Sequence, residues 1–137
     1  MHKHSNIVHY SLFLLFSALA VMGCTESFED RCRREAREFT ERQCPRLVGK
    51  YIIIDSMTYV DEPAGFAYHY RVQGELDNPE ILTEEALNVF TSSLLDQVRK
   101  DISLRPYKER GFHFTYRYIS SATGKLFTEA EFGPEDY

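Results

Sequence analysis

Phe66-Ala67-Tyr68-His69-Tyr70-Arg71-Val72-Gln73 alternates without a break. Successive side chains of a strand point to opposite faces. Phe66, Tyr68, Tyr70 and Val72 therefore share one side, and Ala67, His69, Arg71 and Gln73 share the other. A strand with one aromatic row needs a core beneath it. Ahead of it, Asp61-Glu62-Pro63-Ala64-Gly65 is turn chemistry. Before the turn, the β-branched and aromatic stretch from Tyr51 to Val60 reads as a partner strand. The two form a hairpin.

The pattern returns near the C-terminus. Phe112, Phe114, Tyr116 and Tyr118 alternate with His113, Thr115, Arg117 and Ile119. Ser120 to Gly124 is the turn, and Lys125 to Phe132 the return strand. Each hairpin follows a helical segment. In Thr25 to Gln43, Phe28, Cys32, Ala36 and Phe39 recur at helical spacing, and Pro45 ends the run. Thr83 is an N-cap, followed by Glu84 and Glu85, which suit the positive end of a helix. Leu87, Phe90, Leu94, Val98 and Ile102 continue that helix to about Ser103. Gly74 to Pro79 reads as a polar connection.

The order is α-β-β-α-β-β. Two helices with one apolar stripe each, and a sheet with one aromatic face, predict an α+β domain. The expected architecture is a four-stranded antiparallel sheet with both helices on one face. The ten phenylalanines and nine tyrosines then belong chiefly to the core, since their rows alternate as a buried sheet face does. A common offset places Phe28 on Leu87 and Phe39 on Val98, which suggests an internal duplication.

The N-terminus carries a different signal. Lys3 and the α-amino group precede an apolar run from Leu12 to Met22. That run is shorter than the roughly 20 residues a membrane-spanning helix needs. It fits the apolar core of a signal peptide over residues 1–23. Val21-Met22-Gly23-Cys24 resembles a bacterial lipobox, although Met22 stands where a small residue is usual. The resemblance implies cleavage before Cys24, a diacylglyceryl thioether on its sulfur, and a single lipid-anchored domain over residues 24–137. Thr25 in place of aspartate implies the outer membrane. The open alternative is cleavage after Ala18-Leu19-Ala20, which leaves Cys24 an ordinary thiol.

The expected mature chain has 15 bases against 21 acids, a net charge of −6. General nucleic-acid binding needs a basic excess, and this chain lacks one. With Cys24 lipidated, Cys32 and Cys44 remain in an oxidising compartment. Twelve residues of continuous helix separate them by about 18 Å, too far for the roughly 7 Å a disulfide tolerates. Two buried free thiols are expected.

Chemistry is sparse. His69 and His113 are the histidines left after processing, too few for a metal site of three or four ligands. The serines at 92, 93, 120 and 121 lack a neighbouring base or a nucleophile-elbow motif. No catalytic residue, metal or dissociable cofactor is expected, the lipid on Cys24 being the one covalent addition. The candidate partner-binding face comprises His69, Arg71, His113, Thr115 and Arg117, a basic group on the outward side of two strands. The same side chains could instead pair across strands with Glu129 or Glu131.

The helix-plus-hairpin order resembles the β-lactamase inhibitory proteins and the small lipoproteins of the outer-membrane assembly machine; cystatin-like domains are similar as well. That likeness is of architecture and does not carry function; the shared alternation phase of the five face residues, with the lipobox, leads to the expectation of a non-catalytic, lipid-anchored envelope domain that binds a protein, as an adaptor, inhibitor or immunity factor. A cystatin-like small-ligand pocket or a weak enzyme built on one is the alternative.

Overall fold

The computed structural model describes residues 23–137. The signal segment expected over residues 1–23 therefore falls, but for Gly23, outside the described residues. The domain is α+β, and its order is α1 (Phe28–Gln43), β1 (Arg46–Gly49), β2 (Ile52–Asp61), β3 (Ala64–Val72), α2 (Glu84–Lys100), α3 (Arg105–Lys108), β4 (His113–Ser120) and β5 (Leu126–Phe132). Short 3₁₀ turns at Gly74–Leu76, Pro79–Ile81 and Ile102–Leu104 link the parts.

Two details of the expected sheet are corrected. It has five strands in the order β1-β2-β3-β4-β5, and it is mixed. Three neighbouring pairs are antiparallel, but β3 and β4 are parallel. The physical cause is the connection between them. A short loop returns the chain antiparallel, whereas a crossover carrying a helix lets it re-enter in the same direction. The extra strand, β1, is four exposed residues with no alternation to betray it.

Parallel pairing sets the two aromatic rows side by side. Phe66 faces Phe114, Tyr68 faces Tyr116 and Tyr70 faces Tyr118. Tyr68 and Tyr116 stack at 5.1 Å, and Tyr70 and Tyr118 at 4.7 Å. Burial pushes the Tyr70 phenol up to about 12 and those of Tyr68, Tyr116 and Tyr118 higher still. Where β4 begins beside β3, a Cβ at Gly65 would stand 2.2 Å from the carbonyl oxygen of His113. Only glycine admits that approach.

The aromatic rows form the floor of one core with both helices above it. Helix α1 starts at Ser27, whose hydroxyl accepts from the Asp30 amide at 3.0 Å. Its buried residues are small, Cys32 and Ala36. Thr40 comes close enough to act as a strand partner: its hydroxyl accepts from the Met57 amide at 2.9 Å and donates to the Met57 carbonyl at 3.0 Å. At one end of the core, Phe28 and Phe112 meet at 5.7 Å and Phe66 and Tyr107 at 5.0 Å. The Tyr107 hydroxyl donates to Glu35 at 2.5 Å, tying α3 to α1.

Helix α2 starts as expected, with Thr83 accepting from the Ala86 amide at 3.1 Å. It ends at Lys100, earlier than the periodicity suggests. The Lys108 ammonium stops it by donating to the carbonyls of Val98, Arg99 and Asp101 at 2.8, 3.1 and 3.1 Å. The C-terminus is docked: the Tyr137 hydroxyl donates to the Phe112 carbonyl at 2.8 Å. The suggested duplication has no counterpart in space. Strands β2 and β4 run in opposite directions while both helices share a face. A rotation that reverses strands and keeps their order would put the second helix on the other face.

Cys32 and Cys44 are free thiols, the first buried and the second half-buried. Burial raises the Cys32 thiol to about 11.

Candidate functional site

The strand register brings the five expected residues onto one surface. Ala67, His69 and Arg71 of β3 sit beside Thr115, Arg117 and Ile119 of β4. His113 and Thr115 continue the face, with Glu131 opposite Thr115 on β5. The basic groups are nevertheless paired. Arg71 makes a two-pronged bond to Asp55 at 2.6 and 2.7 Å. Arg117 donates to Glu129 at 2.6 Å, and His113 lies 2.9 Å from Glu131. His69 bonds Thr58 at 3.0 Å. Burial, and secondarily the Arg117 charge, holds the His69 imidazole below its ordinary pKa. The face thus presents ion pairs across strands and little net charge.

The same register builds a row, apolar except for Arg71 at its centre, that the alternation alone does not show. Leu47 pairs with Ile53, Ile53 with Arg71, Arg71 with Ile119, and Ile119 with Leu126. Residues directly opposite on adjacent strands share a face. Leu47 and Leu126 at the two ends are 60% and 56% exposed.

A second site lies on the helix side. An open groove of about 200 Å³ runs between the first half of α2 and the sheet. Its floor is Ile52, Val72, Tyr118 and Phe127, and its walls are Leu76, Ile81, Leu82, Leu87 and Phe90. The groove forms because the helix is only partly seated. Leu94 and Val98, in its second half, are 7% and 0% exposed. Leu87 and Phe90, two turns and one turn nearer the start than Leu94, remain half-open, with Phe90 edge-on to Tyr118 at 5.1 Å. The lining offers Thr128 as its one polar side chain besides the Tyr118 phenol. No charged group and no nucleophile–base pair reaches it.

Elsewhere the chemistry is equally sparse. The Ser93 hydroxyl donates to the Val89 carbonyl, and that of Ser120 accepts from the Thr123 amide. Among the described residues, no three His, Cys, Asp or Glu side chains cluster as metal ligands. No described helix is long and apolar enough to cross a membrane. Cys24 is exposed and free, three residues ahead of the α1 cap.

Periodicity in the sequence does not show the groove, because part of its wall, Leu76, Ile81 and Leu82, lies in a segment with neither helical nor strand period. One signal does mark the region. Between Arg71 and Arg99 the chain has six acids and no base.

Comparison with known proteins bears on the fold and the family. A protein of Pseudomonas aeruginosa described as secreted superposes with a TM-score of 0.66 at 18% identity, over 79% of this chain and 90% of that one. The pilotin of the Vibrio vulnificus type 2 secretion system, EpsS, gives a TM-score of 0.58 at 10% identity, over 79% and 89%. At these identities the likeness is one of fold. No curated protein matches the sequence. The family model that matches, over residues 27–128, is Domain of unknown function (DUF8479), and this chain belongs to that family.

Proposed function

We propose that this protein is a lipid-anchored bacterial envelope domain that works without catalysis by holding another protein, in the manner of an adaptor. The observation that carries the reading is the groove between α2 and the sheet. It is large enough for apolar side chains, and its lining is apolar but for Thr128 and the Tyr118 phenol. Likeness of fold to a secretion-system pilotin and to a secreted protein supports the envelope setting. The mature domain would begin at Cys24, with two or more acyl chains on its sulfur for stable anchoring. Three residues from Cys24 to Ser27 span at most about 11 Å, so the start of α1 would sit close to the membrane.

Photocrosslinking in the native envelope tests the docking site. Leu87→benzoylphenylalanine should give a discrete protein adduct, and Val89→benzoylphenylalanine, on a 64% exposed position of the same helix, should not. No adduct at position 87, or equal adducts at both, would overturn the groove reading. For the anchor, Cys24→Ala should block lipidation and leave an unprocessed or soluble form; normal processing and membrane retention of that variant would return the A-x-A cleavage site.

The open sheet face is the second reading. What favours it is the row from Leu47 to Leu126, exposed at both ends and including Arg71, with His69, His113, Thr115 and Arg117 on the same face. Arg71→Glu with Arg117→Glu should abolish capture if this face binds. Capture that survives both substitutions removes the face from consideration.

A further inference from the structure

We infer that the occupant of the α2 groove is a basic amphipathic helix of a partner protein. The inference rests on the groove being the docking site, and it names the chemistry of what docks there. Two observations combine. The lining is apolar, and the residues interleaved with it are acidic. Leu76 lies between Glu75 and Asp77, Ile81 follows Glu80, and Ala86 and Leu87 follow Glu84 and Glu85. Glu75 accepts from the Tyr51 hydroxyl at 2.8 Å, and Asp77 from the Ala122 amide at 2.8 Å, so neither is paired with a base. Glu80, Glu84 and Glu85 make no ion pair with any described residue. Arg71 and Arg117, next to the lining residues Val72 and Tyr118, are paired with Asp55 and Glu129 on the opposite face of the sheet, which leaves Lys50, over the Tyr51 ring, and Lys125, in the β4–β5 turn, as the nearest other bases along the chain. Five acids against two bases leave the rim negative.

The backbone argues for a helix. Three of the sheet residues in the groove, Ile52, Val72 and Tyr118, belong to the inner strands β2, β3 and β4 and meet it through side chains; Phe127 and Thr128 come from the edge strand β5. An extended peptide lying in this apolar trough would leave its amides and carbonyls without partners, at a cost in free energy. A helix satisfies its own backbone and presents only side chains. Apolar residues at helical spacing would enter between Leu87 and Phe127, and Lys or Arg on the flanks would meet Glu80, Glu84 and Glu85. An acyl chain fits less well, since a fatty carboxylate or anionic headgroup would face the acidic rim.

The test uses the full domain from residue 24 and three synthetic 18-residue helical peptides. They share one Leu/Phe face and carry Lys/Arg, Gln or Glu on the other. The basic peptide should bind about tenfold tighter than the Gln peptide at low salt, as a few exposed ion pairs allow, and the Glu peptide weakest. Salt at 0.5 M should close the gap by screening. Glu80→Gln, Glu84→Gln and Glu85→Gln together should erase the preference; the salt series on the unchanged protein reports the same charge dependence should that variant fold poorly. Equal affinity for all three peptides would overturn the inference and leave the groove reading standing. Binding of none, or binding untouched by Leu87→Ser, would overturn both. Palmitate displacing the basic peptide more effectively than the Gln peptide does would also overturn it, in favour of a lipid occupant.

Discussion

Helix α1 lies directly on β2, whereas α2 is seated only in its second half. The difference follows from side-chain size. The stripe of α1 is Cys32, Ala36 and Thr40, small enough for the helix to approach until a threonine hydroxyl bonds the strand backbone. The stripe of α2 is Leu87, Phe90, Leu94 and Val98, and these bulkier residues hold its axis away. Where the sheet and the helix close on Leu94 and Val98 the gap is filled; toward the N-terminus it stays open. The helix with a strong apolar pattern thus leaves Leu87 and Phe90 half-open, and the helix with a weak pattern is the one that bonds a strand backbone. Strength of pattern reports how much surface must be covered, not whether this chain covers it.

The sharpest way to break that comparison is within α2. Leu94→Ala should cost about 2–5 kcal/mol, as for a buried leucine. Leu87→Ala, already open to water, should cost about 1 kcal/mol or less. Urea denaturation of both variants measures the difference, and equal losses would mean the groove is closed in solution. Next comes packing on α1. Ala36→Leu should cost about 1–3 kcal/mol by overfilling the contact with β2. Val89→Leu, an exposed position on α2, should stay within about 0.5 kcal/mol. A harmless Ala36→Leu would show that α1 is not held close.

The helix starts should not distinguish the two. Ser27→Ala and Thr83→Ala each remove one side-chain cap, and each should cost about 1 kcal/mol in thermal or chemical unfolding. Markedly unequal costs would point to the helix ends, and not the stripes, as the source of the contrast.

The smallest effect lies on the opposite face of the sheet. The folded state holds His69 neutral by burial among Thr58, Arg117, Asp55 and Glu129, so its folded pKa lies below the unfolded value near 6.5. The unfolded chain therefore takes up the proton first. The stability linked to His69 is present above that pH and falls as pH drops through it. Comparing urea midpoints at pH 7.5 and 5.5, His69→Gln should show a shallower loss than the unmodified protein. An equal or steeper loss would mean that His69 titrates as freely as in the unfolded chain.

Much of the architecture is legible locally. Alternation from Phe66 to Gln73 and from Phe112 to Ile119 sets which residues face the core, and the structure places Phe66, Val72, Phe114 and Tyr118 there, all at or below 5% exposure. The caps at Ser27 and Thr83 need only a hydroxyl beside free amides. The shared face of His69, Arg71, His113, Thr115 and Arg117 also follows from alternation, because residues of one phase stay on one side whichever way the strands run. Their neutralisation by Asp55, Glu129 and Glu131 does not, since register across strands decides it.

Period and capping are properties of neighbours in sequence, so the sequence by itself determined the two long helices, the hairpins, the inward faces and the acidity of the stretch from Glu75 to Glu85. Strand direction at β3–β4, the edge strand β1, and the groove beneath α2 depend on how the 40-residue crossover from Gln73 to Phe112 packs back on the sheet. No local pattern encodes the distance at which a helix comes to rest. The sizes of side chains meeting from far apart in the chain set it, and only the tertiary structure brings Leu87 and Phe90 over Val72, Tyr118 and Phe127.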